Sequence, residues 1–352
     1  MRDIVVVGGS AGSIDVLRTI VRDLPEKFPC SIFIVIHLAS DSPTMLDAIL
    51  SRWGRLPAIL PLDKDPIRSG RIYIARPDHQ MTLEDGRVRV LRGPRENRHR
   101  PAIDPLFRTA AREYGPRVIG VIVSGLLDDG SAGLYAVKER GGIAIVQDPR
   151  DAARDQMPLH AIQYAKPQYV LRTREIVPNL VQLVNFEQRK TEMPKRSRNA
   201  QGTSTNGKKN GSKVSTKPEA NLTVSYPEES DGVPSVFACP ECHGVLWELK
   251  DKELVRFRCR VGHSYGPDSL SKELSTNSEG ALWAAMQALE EKAAMQRRIA
   301  DGIGGSKLLT RRLRDQSEAD DANARLIRAM IFQRDEKLET EEESVARPKK
   351  TA

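Results

Sequence analysis

Over its first 187 residues the chain alternates short apolar runs with amphipathic stretches, and this alternation limits the fold more than any other feature. The apolar runs are Asp3–Val7, Ser31–His37, Arg71–Ala75, Val118–Ser124 and Ile143–Gln147. Helical patterns lie between them over Ser13–Leu24, Pro43–Trp53, Asp104–Tyr114, Ser131–Arg140 and Met157–Ala165. Parallel strands need crossover helices, and strands covered on both faces read as unbroken apolar runs. The pattern therefore predicts an α/β fold, a doubly wound and mainly parallel sheet with flanking helices. A hairpin is predicted over Met81–Leu91, turned at Asp85-Gly86, with a closing helix over Val177–Phe186.

Beyond this first domain, residues 1–187, the character changes. Residues 188–235 are rich in Lys, Ser, Thr, Asn, Gly and Pro and read as a disordered basic linker. Residues 187–218 hold nine Lys/Arg against two Glu, which supplies +7 of the chain's net charge of +8. A nucleic-acid domain carries its basic footprint on a folded face, so no nucleic-acid partner is expected. No run approaches the ~20 apolar residues of a membrane span, so no membrane insertion is expected. The first apolar run is only Ile4–Val7, after an acid at Asp3, which is no signal peptide and predicts a cytoplasmic protein.

Gly8-Gly-Ser10-Ala-Gly12 reads G-x-S-x-G between a strand and a helix, the setting of a nucleophile elbow. A dinucleotide fingerprint starting at Gly8 would need glycine where Ser10 and Ser13 stand; a plain glycine-rich turn is the other reading. His37 ends a buried strand, and Asp128-Asp129 follow another, both at the carboxyl rim where open α/β sheets place their ligands. Taken singly, these would be a rim histidine and a helix-capping turn. Together they have the parts of a Ser-His-Asp triad, in a chain order different from that of α/β-hydrolases.

The first domain resembles the catalytic domain of the chemotaxis protein-glutamate methylesterases (CheB). The resemblance is carried by Gly8–Gly12, Val35-Ile-His37, Tyr73–His79, His99–Phe107, Ser124–Gly130, Gln147-Asp-Pro149 and Met157-Pro158. It implies Ser10 as nucleophile, His37 as base and Asp129 as the orienting acid, with Asp128 one position out of register. It also implies hydrolysis of γ-glutamyl methyl esters on the cytoplasmic domains of methylated chemoreceptors, releasing methanol without a catalytic cofactor. Some members also deamidate receptor glutamine. Three features depart from the family, one being Ala11 after the serine, where threonine or another small residue is usual. Ser124-Gly-Leu-Leu127 stands where Thr-Gly-Met-Gly is usual, and the chain starts at the catalytic strand with no receiver domain before it. A non-catalytic signalling adaptor on the same fold is the alternative function; a complete Ser10, His37 and Asp129 set argues against it.

Residues 236–271 form a second module. Cys239-x2-Cys242-x16-Cys259-x3-His263, with hairpin strands Gly244–Leu249 and Leu254–Arg258 between the pairs, has the spacing of a closed structural zinc site. Cys239–His243 also reads C-x-x-C-H, a c-type haem attachment, but that chemistry requires export and leaves Cys259 and His263 without a use. The module resembles zinc-ribbon-like tails of some receiver-less relatives. Its long tether is expected to impose no fixed docking on the first domain. Residues 272–352 form a charged helical tail whose Leu282, Met286, Leu289 and Ala293 are helically spaced. They read as a packing face, or over 278–345 as a surface for a partner or a second copy. His79, His99, His160 and His243 are read as structural or surface residues, with His99 the first exception because it opens a family-like block.

Overall fold

The computed structural model describes residues 2–37, 45–192, 232–252, 254–302 and 307–346. Most of the predicted linker, 193–231, lies outside them. The chain divides into two compact units, Met1–Leu270 and Ser271–Ala352.

The larger unit is built on seven strands: β1 (Ile4–Gly9), β2 (Ser31–Ile36), β3 (Ala58–Ile59), β5 (Arg71–Ile74), β8 (Val118–Ile122), β9 (Ile143–Gln147) and β10 (Tyr169–Leu171). Their order is β10-β9-β8-β1-β2-β5-β3 and every pairing is parallel. Side chains alternate across the sheet. Ile4 and Val6 enter one apolar cluster with Phe33, Phe107 and Leu134, while Val5 and Val7 enter another with Leu17, Ile20 and Leu180. Helices α3 (Ile103–Tyr114) and α4 (Ser131–Glu139) cover the first face, and α1 (Ser13–Asp23) and α6 (Thr173–Glu192) the second. The remaining elements are α2 (Leu46–Trp53), α5 (Gln156–Ala165) and a small antiparallel sheet of β4 (Asp65–Pro66), β7 (Arg87–Leu91) and β6 (Gln80–Glu84).

Strand order reverses at β1, which leads to β2 on one side and pairs with the much later β8 on the other. Such a reversal splays the crossovers apart and opens a crevice at the carboxyl ends of the strands.

The second module is a four-stranded antiparallel sheet in the order β11 (Val233–Ala238), β12 (Val245–Asp251), β13 (Leu254–Cys259), β14 (Ser264–Tyr265). It begins three residues earlier than expected, and α6 runs past the expected linker start at 188 to Glu192. The module also departs from the expectation of a loose tether, since it lies in the same compact unit as the parallel sheet. Leu254 is buried in the cluster containing Phe107, Leu134 and Tyr135, and Lys252 pairs with Glu139 of α4. Tether length bounds only the reach of a module; here an apolar residue and several backbone hydrogen bonds hold it in place.

The smaller unit consists of α7, which spans Pro267–Gly302 and so begins in the larger unit, and α8 (Lys307–Ala346). Met286 and Ala293 of the predicted stripe are buried, as are Ala324 and Ile331, and Trp283 meets the edge of Phe332 at 6.2 Å. The stripe is therefore a packing face between two helices of the same chain.

Candidate active site

The strand register brings the serine to the histidine. Gly9 pairs with Ile36, so Ser10 and His37 leave the sheet side by side. The Ser10 N–H donates to Ser124 O at 2.9 Å, which ties the turn to the loop after β8. Gly12 has φ +77, and a side chain there would meet Ala153 Cβ at 2.6 Å and Ser124 Oγ at 2.8 Å. Only glycine takes this left-handed turn without strain. Ser13 Oγ then donates to Ser10 O at 2.6 Å, stiffening the start of α1.

His37 Nε2 lies 2.8 Å from Asp129 Oδ2. The Asp129 carboxylate is 1 % exposed and sits at the N-terminus of α3, where the first N–H groups of a buried helix have no intrahelical partner. It accepts Ile103 N–H at 2.7 Å, Asp104 N–H at 3.2 Å and Asn97 Nδ2 at 2.8 Å. Burial pushes its pKa up, but the bond to His37 and these donors outweigh that and hold it at about 2. Asp104 is the contrast: burial, with the Asp129 charge beside it, raises its carboxyl to about 7. A carboxylate held ionised and a carboxyl that gives up its proton far less readily thus share the Asn97 amide, which also donates to Asp104 Oδ2 at 3.0 Å.

Asp128 faces elsewhere. Its carboxylate accepts from Ser269 Oγ and, at 3.3 Å, from Asp268 N–H. The flanking backbone explains the divergence, since Leu127 (φ +61) and Gly130 (φ +89) turn the loop so that the two adjacent side chains part.

His99 stacks on His37, ring centroids 3.5 Å apart and nearly parallel at 11°. Burial, then the neighbouring His37, lowers its pKa to about 3, so it is a neutral ring stacked on that of His37. His160 lies 3.0 Å from Leu127 O and His79 2.9 Å from Pro77 O, each through Nδ1. Asn97 and Asp104 were not recognised as site residues from sequence. Their one signal was position, within or beside the block His99–Phe107.

In the module, one ligand atom each from Cys239, Cys242, Cys259 and His263 lies within 4.8 Å of the others. Cys242 Sγ to Cys259 Sγ is 3.5 Å, and His263 Nδ1 is 3.5 Å from Cys259 Sγ and 3.7 Å from Cys239 Sγ. A tetrahedral site of three sulfurs and one nitrogen, with bonds of ~2.0–2.3 Å, has edges of about 3.5–3.8 Å; these three edges match it and no pair lies beyond 4.8 Å, so the four could hold a metal ion. His263 Nε2 is 3.3 Å from Glu241, the outer carboxylate that commonly orients a ligating imidazole. His243 is exposed and outside the cluster, which removes the basis for a haem reading.

A wholly parallel α/β sheet that gathers a serine, a histidine and a buried carboxylate at its switch point has the architecture of a hydrolase. Residues 5–180 match the family model described as CheB methylesterase. A Leptospira interrogans protein, provisionally named a protein-glutamate methylesterase/protein-glutamine glutaminase, is 38% identical over 188 residues, covering 53% of this chain and 97% of that one. An Anaeromyxobacter dehalogenans protein-glutamate methylesterase/protein-glutamine glutaminase is 34% identical over 174 residues, 49% of this chain and 51% of the relative. The chain thus spans about half the length of that second relative. The Thermotoga maritima CheB methylesterase catalytic domain superposes with a TM-score of 0.50 at 30% identity, covering 52% of this chain and 99% of that structure. The chain belongs to the CheB methylesterase family, and its enzyme class is that of the carboxylic ester hydrolases. Among the described residues no helix is long and apolar enough to cross a membrane.

Proposed function

We propose that this protein hydrolyses γ-glutamyl methyl esters on the cytoplasmic domains of methylated chemoreceptors, using Ser10, His37 and Asp129. The observation that carries this reading is the 2.8 Å contact of His37 Nε2 with a carboxylate kept ionised by three further donors, His37 directly following a strand whose neighbour leads into Ser10.

With Nε2–H given to Asp129, Nδ1 is the ring nitrogen left to take a proton. Ser10 Oγ attacks the ester carbonyl carbon while His37 Nδ1 accepts the hydroxyl proton, and the imidazolium is stabilised by Asp129. The Ala11 N–H, next after the nucleophile, is assigned to the oxyanion. Collapse expels methanol, protonated by His37; water then enters by the same base and frees the glutamate. An amide would be cleaved through the same acyl-enzyme with ammonia leaving, so glutamine deamidation is within reach of the site. The Cys239, Cys242, Cys259 and His263 cluster is assigned to a structural zinc ion, since all four positions are filled by protein.

The test is methanol release from a methylated receptor domain by Ser10→Ala. A triad knockout typically costs on the order of 10⁴–10⁶ in kcat. A variant retaining a tenth of wild-type turnover would remove Ser10 from the mechanism.

A further inference from the structure

The Asn97 amide is held from both ends. Its Nδ2 donates to Asp129 and Asp104, and its Oδ1 accepts the Gly266 N–H at 2.7 Å. That last bond decides which end of the amide faces the carboxylates, because an amide rotated by half a turn would offer them oxygen. The backbone is fixed by the same partner. Asn97 N–H donates to Ser264 O at 2.7 Å, and Glu96 and Ser264 form a parallel bridge. Asn97 (φ +48) and Arg98 (φ +74) are successive non-glycine residues in the left-handed region, a conformation that needs such outside support. Two residues further on, His99 lies flat on His37. One short loop therefore carries both the donor on Asp129 and the plate on His37, and Ser264 and Gly266 set its position.

Ser264 directly follows the metal-ligand candidate His263. The turn between Cys259 and His263 closes through Cys259 N–H to His263 O and Gly262 N–H to Cys259 O, both 3.0 Å, and runs straight into β14. A sheet this small, with little apolar core, depends on its metal for a fixed shape. Asp128, the neighbour of Asp129, is gripped from the same side by Ser269 and Asp268.

We propose that the cysteine–histidine module is part of the support of the hydrolase site, that Asn97 is the positioning residue through which it acts, and that full turnover requires the module's metal site to be filled. This rests on the triad reading above. Metal loss would release residues 264–266, free the Asn97 amide to rotate, and leave Asp129 and the His37 ring without their outer supports.

The experiment uses the full chain with zinc as the probe. Gly266→Ala is the undocking variant, because a Cβ at 266 collides with the Asp128 carboxylate while every metal ligand is kept. Measured for it, for Asn97→Ala and for chelated wild type are zinc content, amide hydrogen exchange at 96–99, and kcat, KM and the pH profile of methanol release. Gly266→Ala should retain its zinc, lose exchange protection at 96–99, and fall at least about tenfold in kcat with KM within about twofold, the usual size for an outer-shell partner. The acid limb of its kcat profile, which reports the base, should shift as in Asn97→Ala. Chelation should give the same loss, reversed by zinc, and should add little in the Asn97→Ala background. Unchanged or increased kcat once protection at 96–99 is lost, or full additivity of chelation with Asn97→Ala, would overturn the proposal. Should Gly266→Ala fail to fold, chelation and zinc return in wild type decide by the same two readouts. If Ser10→Ala stayed active, the triad reading would fail on its own, while the exchange data would still report whether the module holds the loop.

Discussion

Replacing Asp129 by Asn tests the geometry of the site most directly. The carboxylate accepts four hydrogen bonds, from His37 and Ile103 N–H on Oδ2 and from Asn97 and Asp104 N–H on Oδ1. An Asn side chain turns one oxygen into an NH2 group, so either orientation sets a donor against two donors. If the NH2 faces His37, the ring must move its proton from Nε2 to Nδ1, and Nδ1 can no longer accept the serine proton. If it faces Asn97 instead, the N-terminus of α3 and the shared amide are left mismatched. A buried unsatisfied donor costs about 1–3 kcal/mol, so a stability loss of roughly 2–4 kcal/mol is expected in urea denaturation. The tautomer error is worth about 10⁴ in turnover in the serine-protease case. Asp128→Asn, which leaves an oxygen to accept from Ser269, should cost tenfold or less. The assay is methanol release by both variants at saturating methylated receptor. An Asp129→Asn enzyme within tenfold of wild type, or one less impaired than Asp128→Asn, would refute this account of the carboxylate.

Three further outcomes are expected. The depressed pKa of His99 means the unfolded chain binds a proton that the folded one refuses, so stability is lost as pH falls from about 6.5 towards 3; relative to His99→Phe, wild type should lose about 1.4 kcal/mol per pH unit in that window, and parallel curves would contradict it. Gly12→Ala combines a left-handed backbone with collisions on Ala153 and Ser124, so a cost of roughly 2–4 kcal/mol is expected, and less than 1 kcal/mol would show that the turn relaxes easily. The purified chain should carry one zinc per molecule, lost in Cys259→Ser; metal analysis that found none in wild type, or no change in the variant, would refute the assignment.

How much was legible in the sequence follows from the range of each signal. Five strands and their intervening helices were readable because burial of a strand or helix face imprints a local period, and Ile143–Gln147 was delimited to the residue. Strands β3 and β10, two and three residues long, were missed because so short a run carries no period. The elbow at Gly8–Gly12 and the spacing of the three cysteines and His263 were also legible, since turn and ligand chemistry work over a few neighbours. Other features depended on tertiary structure alone. Asp128 and Asp129 are chemically identical neighbours, and their roles separate only because the N-terminus of α3 meets one and the start of α7 meets the other. The ring nitrogen of His37 that faces the carboxylate was likewise open until the structure placed it. Asn97 and Gly266 are 169 positions apart and share no pattern, yet a hydrogen bond between them is among those that join the module to the site. Hydrophobic periodicity records which face of an element is buried; it holds no information on which distant polar group completes a buried carboxylate, because that pairing exists only once the chain has packed.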